Sequence, residues 1–170
     1  LGNLVMVASA LSGEGKSFAC VNLSLSIARE RDWSVVLIDA DSNKPHLTQL
    51  FSAIHEPGLT DLISDPGLSF DDLVMPTDIP GLSLLPAGTH NADASELLAS
   101  RGMTELCKEL SAADMGRMIV FDSSPLLLTT EAIALASQVG QILMLVRADS
   151  TPQHSLLAAL EKLDPEKATN

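Results

Sequence analysis

The stretch "NLVMVASALSGEGKSFACV", residues 3–21, decides the fold. Its first part, "NLVMVA" (3–8), is short and nearly all apolar, the pattern of a strand buried on both faces. From residue 17 the apolar positions change to helical spacing, which continues to residue 31. Between the two lies "ALSGEGKS" (10–17), with the spacing G-x-x-x-x-G-K-[ST] and Ala10 where the first glycine belongs. Gly13 and Gly15 allow backbone angles that turn consecutive N–H groups inward around phosphate oxygens. The helix that follows adds its positive N-terminal end. Lys16 can reach the outer phosphates, and the Ser17 hydroxyl is placed to ligate Mg²⁺.

Working outward, four more apolar runs read as buried strands: "SVVLID" (34–39), "LSLLPA" (82–87), "RMIVFD" (117–122) and "QILMLV" (141–146). Helical spacing covers residues 95–110, 130–139 and 152–163. Strands alternating with helices imply parallel pairing through right-handed crossovers, so the expected fold class is a layered α/β/α P-loop NTPase fold with a mainly parallel sheet. Residues 45–80 break into short pieces punctuated by Pro-Gly and Asp-Pro, predicting short helices and turns over the sheet edge. The 170 residues suit one P-loop domain, which looks cut close at both ends: the last residues, "LEKLDPEKATN", stop where a further strand is expected.

Composition narrows the function classes. Ten basic against twenty-two acidic residues give a net charge of −12, which excludes a sequence-independent hold on nucleic acid. Cys20 and Cys107 lack metal-ligand or redox spacing and read as buried thiols in a cytoplasmic context. No apolar run approaches the ~20 residues that cross a bilayer. His46, His55, His90 and His154 share no ligand spacing. Three aspartates stand out instead: Asp39 and Asp41 in "VVLIDADSNKP" (35–45), and Asp122 in "MIVFDSSP" (118–125). All sit at the carboxyl ends of predicted strands, where ligands gather in an open parallel sheet. With Lys16 and Ser17 they predict a magnesium and phosphate site.

This set resembles the bacterial tyrosine kinases, the P-loop autokinases of exopolysaccharide loci. The phosphate loop comes first, "VVLIDADSNKP" directly after the first helix, and "MIVFDSSP" third. The stretch "LLPAGTHNADASELLAS" (84–100) is also similar to the family, nearest to the form linked to exosortase systems. The resemblance implies transfer of the ATP γ-phosphoryl group to tyrosine. Nucleotide binding then falls to Ser12, Gly13, Glu14, Gly15, Lys16, Ser17 and Phe18, and the metal to Ser17, Asp41 and Asp122. Lys16, Asp39 and Asp41 are the catalytic set; Asp39 is the candidate to take the hydroxyl proton, although Asp39 and Asp41 could exchange roles. Implied partners are a tyrosine-bearing tail of a neighbouring subunit or another protein, possible further copies of the chain, and a membrane protein controlling polysaccharide chain length. The last would bring a cytoplasmic domain to the inner face of the membrane.

Departures matter as much. Asn43 and Lys44 stand where the family often has two arginines, and the chain has no tyrosine, so the acceptor lies outside these residues. A different class, the ParA and MinD type of ATPase switch, shares the nucleotide motifs but uses a signature lysine early in the phosphate loop, where this chain has Leu11. A third reading is a non-catalytic nucleotide-binding regulator.

Overall fold

The computed structural model describes residues 1–114 and 116–164, and the backbone of Ala168–Thr169. Its strands are β1 (Leu4–Ser9), β2 (Ser34–Asp39), β3 (Met75–Pro76), β4 (Leu82–Leu85), β5 (Arg117–Asp122), β6 (Gln141–Leu145) and β7 (Ala168–Thr169). They form one seven-stranded sheet in the order β3-β4-β2-β5-β1-β6-β7. Every pairing is parallel except that of β3 with β4. The helices are α1 (Lys16–Ala28), α2 (His46–Leu50), α3 (Leu59–Ser64), α4 (Phe70–Leu73), α5 (Ala94–Leu98), α6 (Arg101–Ala113), α7 (Thr130–Gln138) and α8 (Gln153–Leu160).

The period-two alternation of the strands divides the core between two faces. Leu4, Met6, Ile38 and Phe121 pack with residues of α3 and α5–α8, including Leu59, Met103, Leu135 and Ala159. Val7, Leu37, Leu84 and Val120 face the other way, onto Cys20 of α1 and Leu47 of α2. Helices therefore cover both faces, as the alternation of strand and helix predicts. Cys20 and Cys107 are both buried free thiols, and burial pushes each upward in pKa, Cys107 to about 11.

Four details differ from the sequence expectations. The helix predicted over residues 95–110 is two helices: Ser100 is extended at φ −73°, ψ 164°, and its hydroxyl accepts from the Met103 amide, capping a new helix. Residues 45–80 contain, besides three short helices, the edge strand β3, too short to show a pattern. The run 141–146 is not buried on both faces, because it lies toward the sheet edge, with Leu143 41% and Val146 45% exposed. The final residues also supply a strand, as Ala168 and Thr169 pair with Ile142 and Leu143.

One tight crossing shapes the loop after β4. Gly88 has φ +87°, and a Cβ there would collide with the Asp61 carboxylate and lie 2.7 Å from Thr60 Oγ1. That carboxylate accepts from the amides of Gly58 and Thr89, both at 2.9 Å. Burial pushes Asp61 up in pKa, but these amide bonds outweigh it and hold the group below its ordinary value. Gly88→Ala is expected to destabilise the chain by about 1–3 kcal/mol, read as a lower urea midpoint; an unchanged midpoint would contradict the strained crossing.

Candidate functional site

Parallel pairing brings the predicted residues together at the carboxyl edge of the sheet. Asp122 at the end of β5 is in register with Val7 of β1 on one side and Asp39 of β2 on the other. The loop leaving β1 carries the glycines into α1, with Gly13 at φ +80° and Gly15 at φ +95°, both in the left-handed region that glycine tolerates. Gly15 is the N-cap of α1, and no side chain caps the helix there, so its first amides are free for an anion. The loop is also braced from within: Glu14 accepts from the Leu11 amide at 2.7 Å and from the Thr151 hydroxyl.

Lys16 is only 9% exposed, and its Nζ donates to the Ser9 hydroxyl at 3.2 Å. Among the described residues it forms no salt bridge. A buried ammonium held by one neutral acceptor is a strong anion site. Beside it, Asp122 is 2% exposed and its Oδ1 has no hydrogen-bond partner among the described residues. Burial raises its pKa, while hydrogen bonding from Ser17 and the charge of Lys16 pull back toward the ionised form. An orphaned carboxylate oxygen next to a serine hydroxyl fits a divalent cation. No cluster of three or more His, Cys, Asp or Glu able to hold a metal occurs among the described residues. That donor set suits Mg²⁺, which is commonly held by one or two carboxylates together with phosphate oxygens.

The aspartate that ends β2 and the one two residues beyond it differ. Asp39 is fully buried; its Oδ2 accepts from the amide and hydroxyl of Thr48, each at 2.8 Å, and its Oδ1 has one longer contact, 3.3 Å from the Asp41 amide. Burial pushes Asp39 up to about 6, with the Asp122 charge adding to the rise and the Thr48 bonds opposing it. Asp41 instead lines a cavity of about 770 Å³, together with Ser12, Gly13, Gly15, Lys16, Ser17 and Phe18. Phe18, at 76% exposed, shares the rim with Leu50 at 66% and Leu128 at 61%.

Two residues of the site carry no sequence motif. Thr48 links Asp39 to the loop after β4, since its hydroxyl also accepts from the Ala87 amide at 2.9 Å. Glu131, buried at the start of α7, accepts from Asn43 Nδ2 at 3.1 and 3.2 Å. Asn43 thus has a partner at the position where the resemblance implies a lost guanidinium. An acidic residue in the first turn of a helix was visible in the sequence, but it is equally expected from the helix dipole alone.

Comparison with known proteins shows the family. The model of the family described as the CobQ/CobB/MinD/ParA nucleotide binding domain matches residues 5–164. The chain is 30% identical over 162 residues, 95% of its length, to the tyrosine-protein kinase ptk of Acinetobacter johnsonii. It is 31% identical over 159 residues, 94% of its length, to the tyrosine-protein kinase YwqD of Bacillus subtilis. The chain spans 22% of the first relative and 65% of the second. The crystal structure of the VpsO kinase domain superposes with a TM-score of 0.83 at 30% identity, covering 94% of this chain and 76% of that one. The chain belongs to the CobQ/CobB/MinD/ParA nucleotide-binding family, in its branch of bacterial tyrosine-kinase domains.

The raised pKa of Asp39 has a consequence for stability. Between the ordinary value of 3.8 and about 6, the folded state keeps a proton that the unfolded chain has released, so stability falls as pH rises through that window and stays lower above it. Asp39→Asn removes this fall. Without nucleotide or divalent cation, the unfolding free energy of the variant relative to wild type is expected to rise between pH 4 and 6, then level off. A difference that is flat across the window would contradict the assignment.

Proposed function

We propose that this member of the family transfers the γ-phosphoryl group of ATP to a tyrosine hydroxyl supplied by another polypeptide, and so regulates exopolysaccharide synthesis or export. The observation that carries the proposal is the arrangement at the sheet edge: a phosphate loop with a buried lysine that forms no salt bridge among the described residues, three aspartates at adjacent strand ends, and a cavity with an apolar rim. The rim of Phe18, Leu50 and Leu128 suits an aromatic side chain entering beside Asp41, and the acceptor lies outside these 170 residues because none of them is tyrosine.

In this reading the amides of Gly13, Glu14 and Gly15 and the ammonium of Lys16 hold the phosphates, with Ser12, Ser17 and Phe18 completing the nucleotide contacts. Mg²⁺, when bound, neutralises charge on the phosphate oxygens. Ser17, Asp41 and Asp122 are the residues that would hold it. The acceptor oxygen forms its bond to the γ-phosphorus as the bond to the bridging oxygen breaks, and ADP leaves with that electron pair. Asp39, whose pKa of about 6 makes it a better base than an ordinary carboxylate, takes the hydroxyl proton in this reading; it is fully buried and does not line the cavity, so the acceptor has to reach it past Asp41. Asp41, on the cavity wall, meets the cation and the incoming hydroxyl.

Among the described residues no helix is long and apolar enough to cross a membrane. We place the domain in the cytoplasm, acting beside the membrane through its partners.

Variants separate these roles, with a tyrosine peptide as acceptor. Lys16→Met is expected to lower kcat/KM by about 10²–10³-fold through loss of charge on the transferred group. Asp39→Asn is expected to lower kcat by about 10²–10⁴-fold through loss of the base. Asp41→Asn is expected to raise the Mg²⁺ concentration needed for half-maximal rate by about tenfold, with transfer recovering at high Mg²⁺. Wild-type turnover in the first two variants would overturn the proposal.

A further inference from the structure

Glu131 is a buried carboxylate that the chemistry above leaves unused. It is 6% exposed and forms no salt bridge among the described residues. Its partners are neutral donors from three other segments. Asn43 Nδ2 reaches both oxygens at 3.1 and 3.2 Å, Ser42 and Ser95 reach Oε1 at 3.4 Å, and Ser124 reaches Oε2 at 3.4 Å. Burying a carboxylate without a counter-charge is costly, and here only these bonds and the amino end of α7 offset it.

The donors identify what this arrangement holds. Asn43 lies two residues beyond Asp41, and the Lys44 amide donates to Asp41 Oδ1 at 3.0 Å, so residues 41–44 form one closed turn. Ser124 lies two residues beyond Asp122. One side chain therefore fastens both loops that carry the cation-side aspartates, while Ser95 ties the same point to α5.

We propose that Glu131 is a positioning residue: it joins the loops after β2 and β5 and thereby sets the separation of Asp41 from Asp122. The inference rests on the phosphotransfer reading only for the identity of the cation those aspartates receive. Losing the joint loosens both loops and weakens the use of Mg²⁺, leaving the phosphate loop itself intact.

The test uses the full chain and two independent readouts. In the absence of nucleotide and metal, hydrogen exchange is expected to accelerate in Glu131→Ala by about tenfold in residues 41–46 and 123–128, with residues 10–17 unchanged. Asn43→Ala, at an exposed position, is expected to accelerate 41–46 alone, which keeps the inference testable should Glu131→Ala not fold. Glu131→Gln, which retains an acceptor, is expected to recover most of the protection. In the second readout, the Mg²⁺ concentration for half-maximal binding of a fluorescent ATP analogue is expected to rise by about five- to tenfold in Glu131→Ala, with binding at saturating Mg²⁺ within about twofold of wild type. Neither readout depends on the acceptor, so a wild-type chain that failed to phosphorylate tyrosine would sink the functional reading while still testing Glu131. Unchanged exchange in both loops, or a lowered melting temperature with unchanged Mg²⁺ dependence, would overturn the inference.

Discussion

Three ionisable groups, Lys16, Asp39 and Asp122, are buried together at one end of a parallel sheet, and the rest of the site follows from how that burial is sustained. Register sets the two carboxylates side by side on β2 and β5, next to the strand that feeds the phosphate loop. Removing them from water raises the pKa of both, and the Asp122 charge raises that of Asp39 further. Thr48 answers this for Asp39 with two hydrogen bonds, whereas Asp122 Oδ1 has no hydrogen-bond partner among the described residues. The imbalance is what a magnesium nucleotide would relieve, with the cation meeting the spare carboxylate oxygen and the phosphates meeting the lysine.

Such a site needs stiff surroundings, and the structure supplies them from distant parts of the chain. Thr48 connects Asp39 to Ala87, and the Asp61 carboxylate closes the neighbouring loop around Gly88. Glu14 braces the phosphate loop, and Glu131 gathers the loops that follow β2 and β5. Each brace is a short polar side chain working at hydrogen-bond range, so a substitution away from the cavity can alter the chemistry within it.

Much of this was legible in the sequence because it rests on local patterns. Near-continuous apolar runs marked the five longer strands, and glycine spacing before a helix marked the phosphate loop. Asp39, Asp41 and Asp122 were visible because each ends or follows such a run. Thr48 and Glu131 were not, since "HLTQL" and "TTEAIALAS" look like ordinary helix starts and their burial depends on contacts far away in the chain. The break at Ser100 was hidden by helical spacing that continues across it, and the exposure of β6 reflects its place in the sheet rather than its composition.

The family also contains nucleotide-dependent switches that share this architecture, and water rather than a side-chain hydroxyl is the competing acceptor. The apolar rim around the cavity favours an aromatic acceptor, and Leu11 occupies the place of the switch proteins' signature lysine. The most direct measurement is the fate of the γ-phosphoryl group when the chain is incubated with ATP, Mg²⁺ and a tyrosine-bearing peptide. Phosphotyrosine that accumulates with the peptide and exceeds the free phosphate released is the predicted result. Free phosphate released at the same rate with or without the peptide, and no phosphotyrosine, would contradict it.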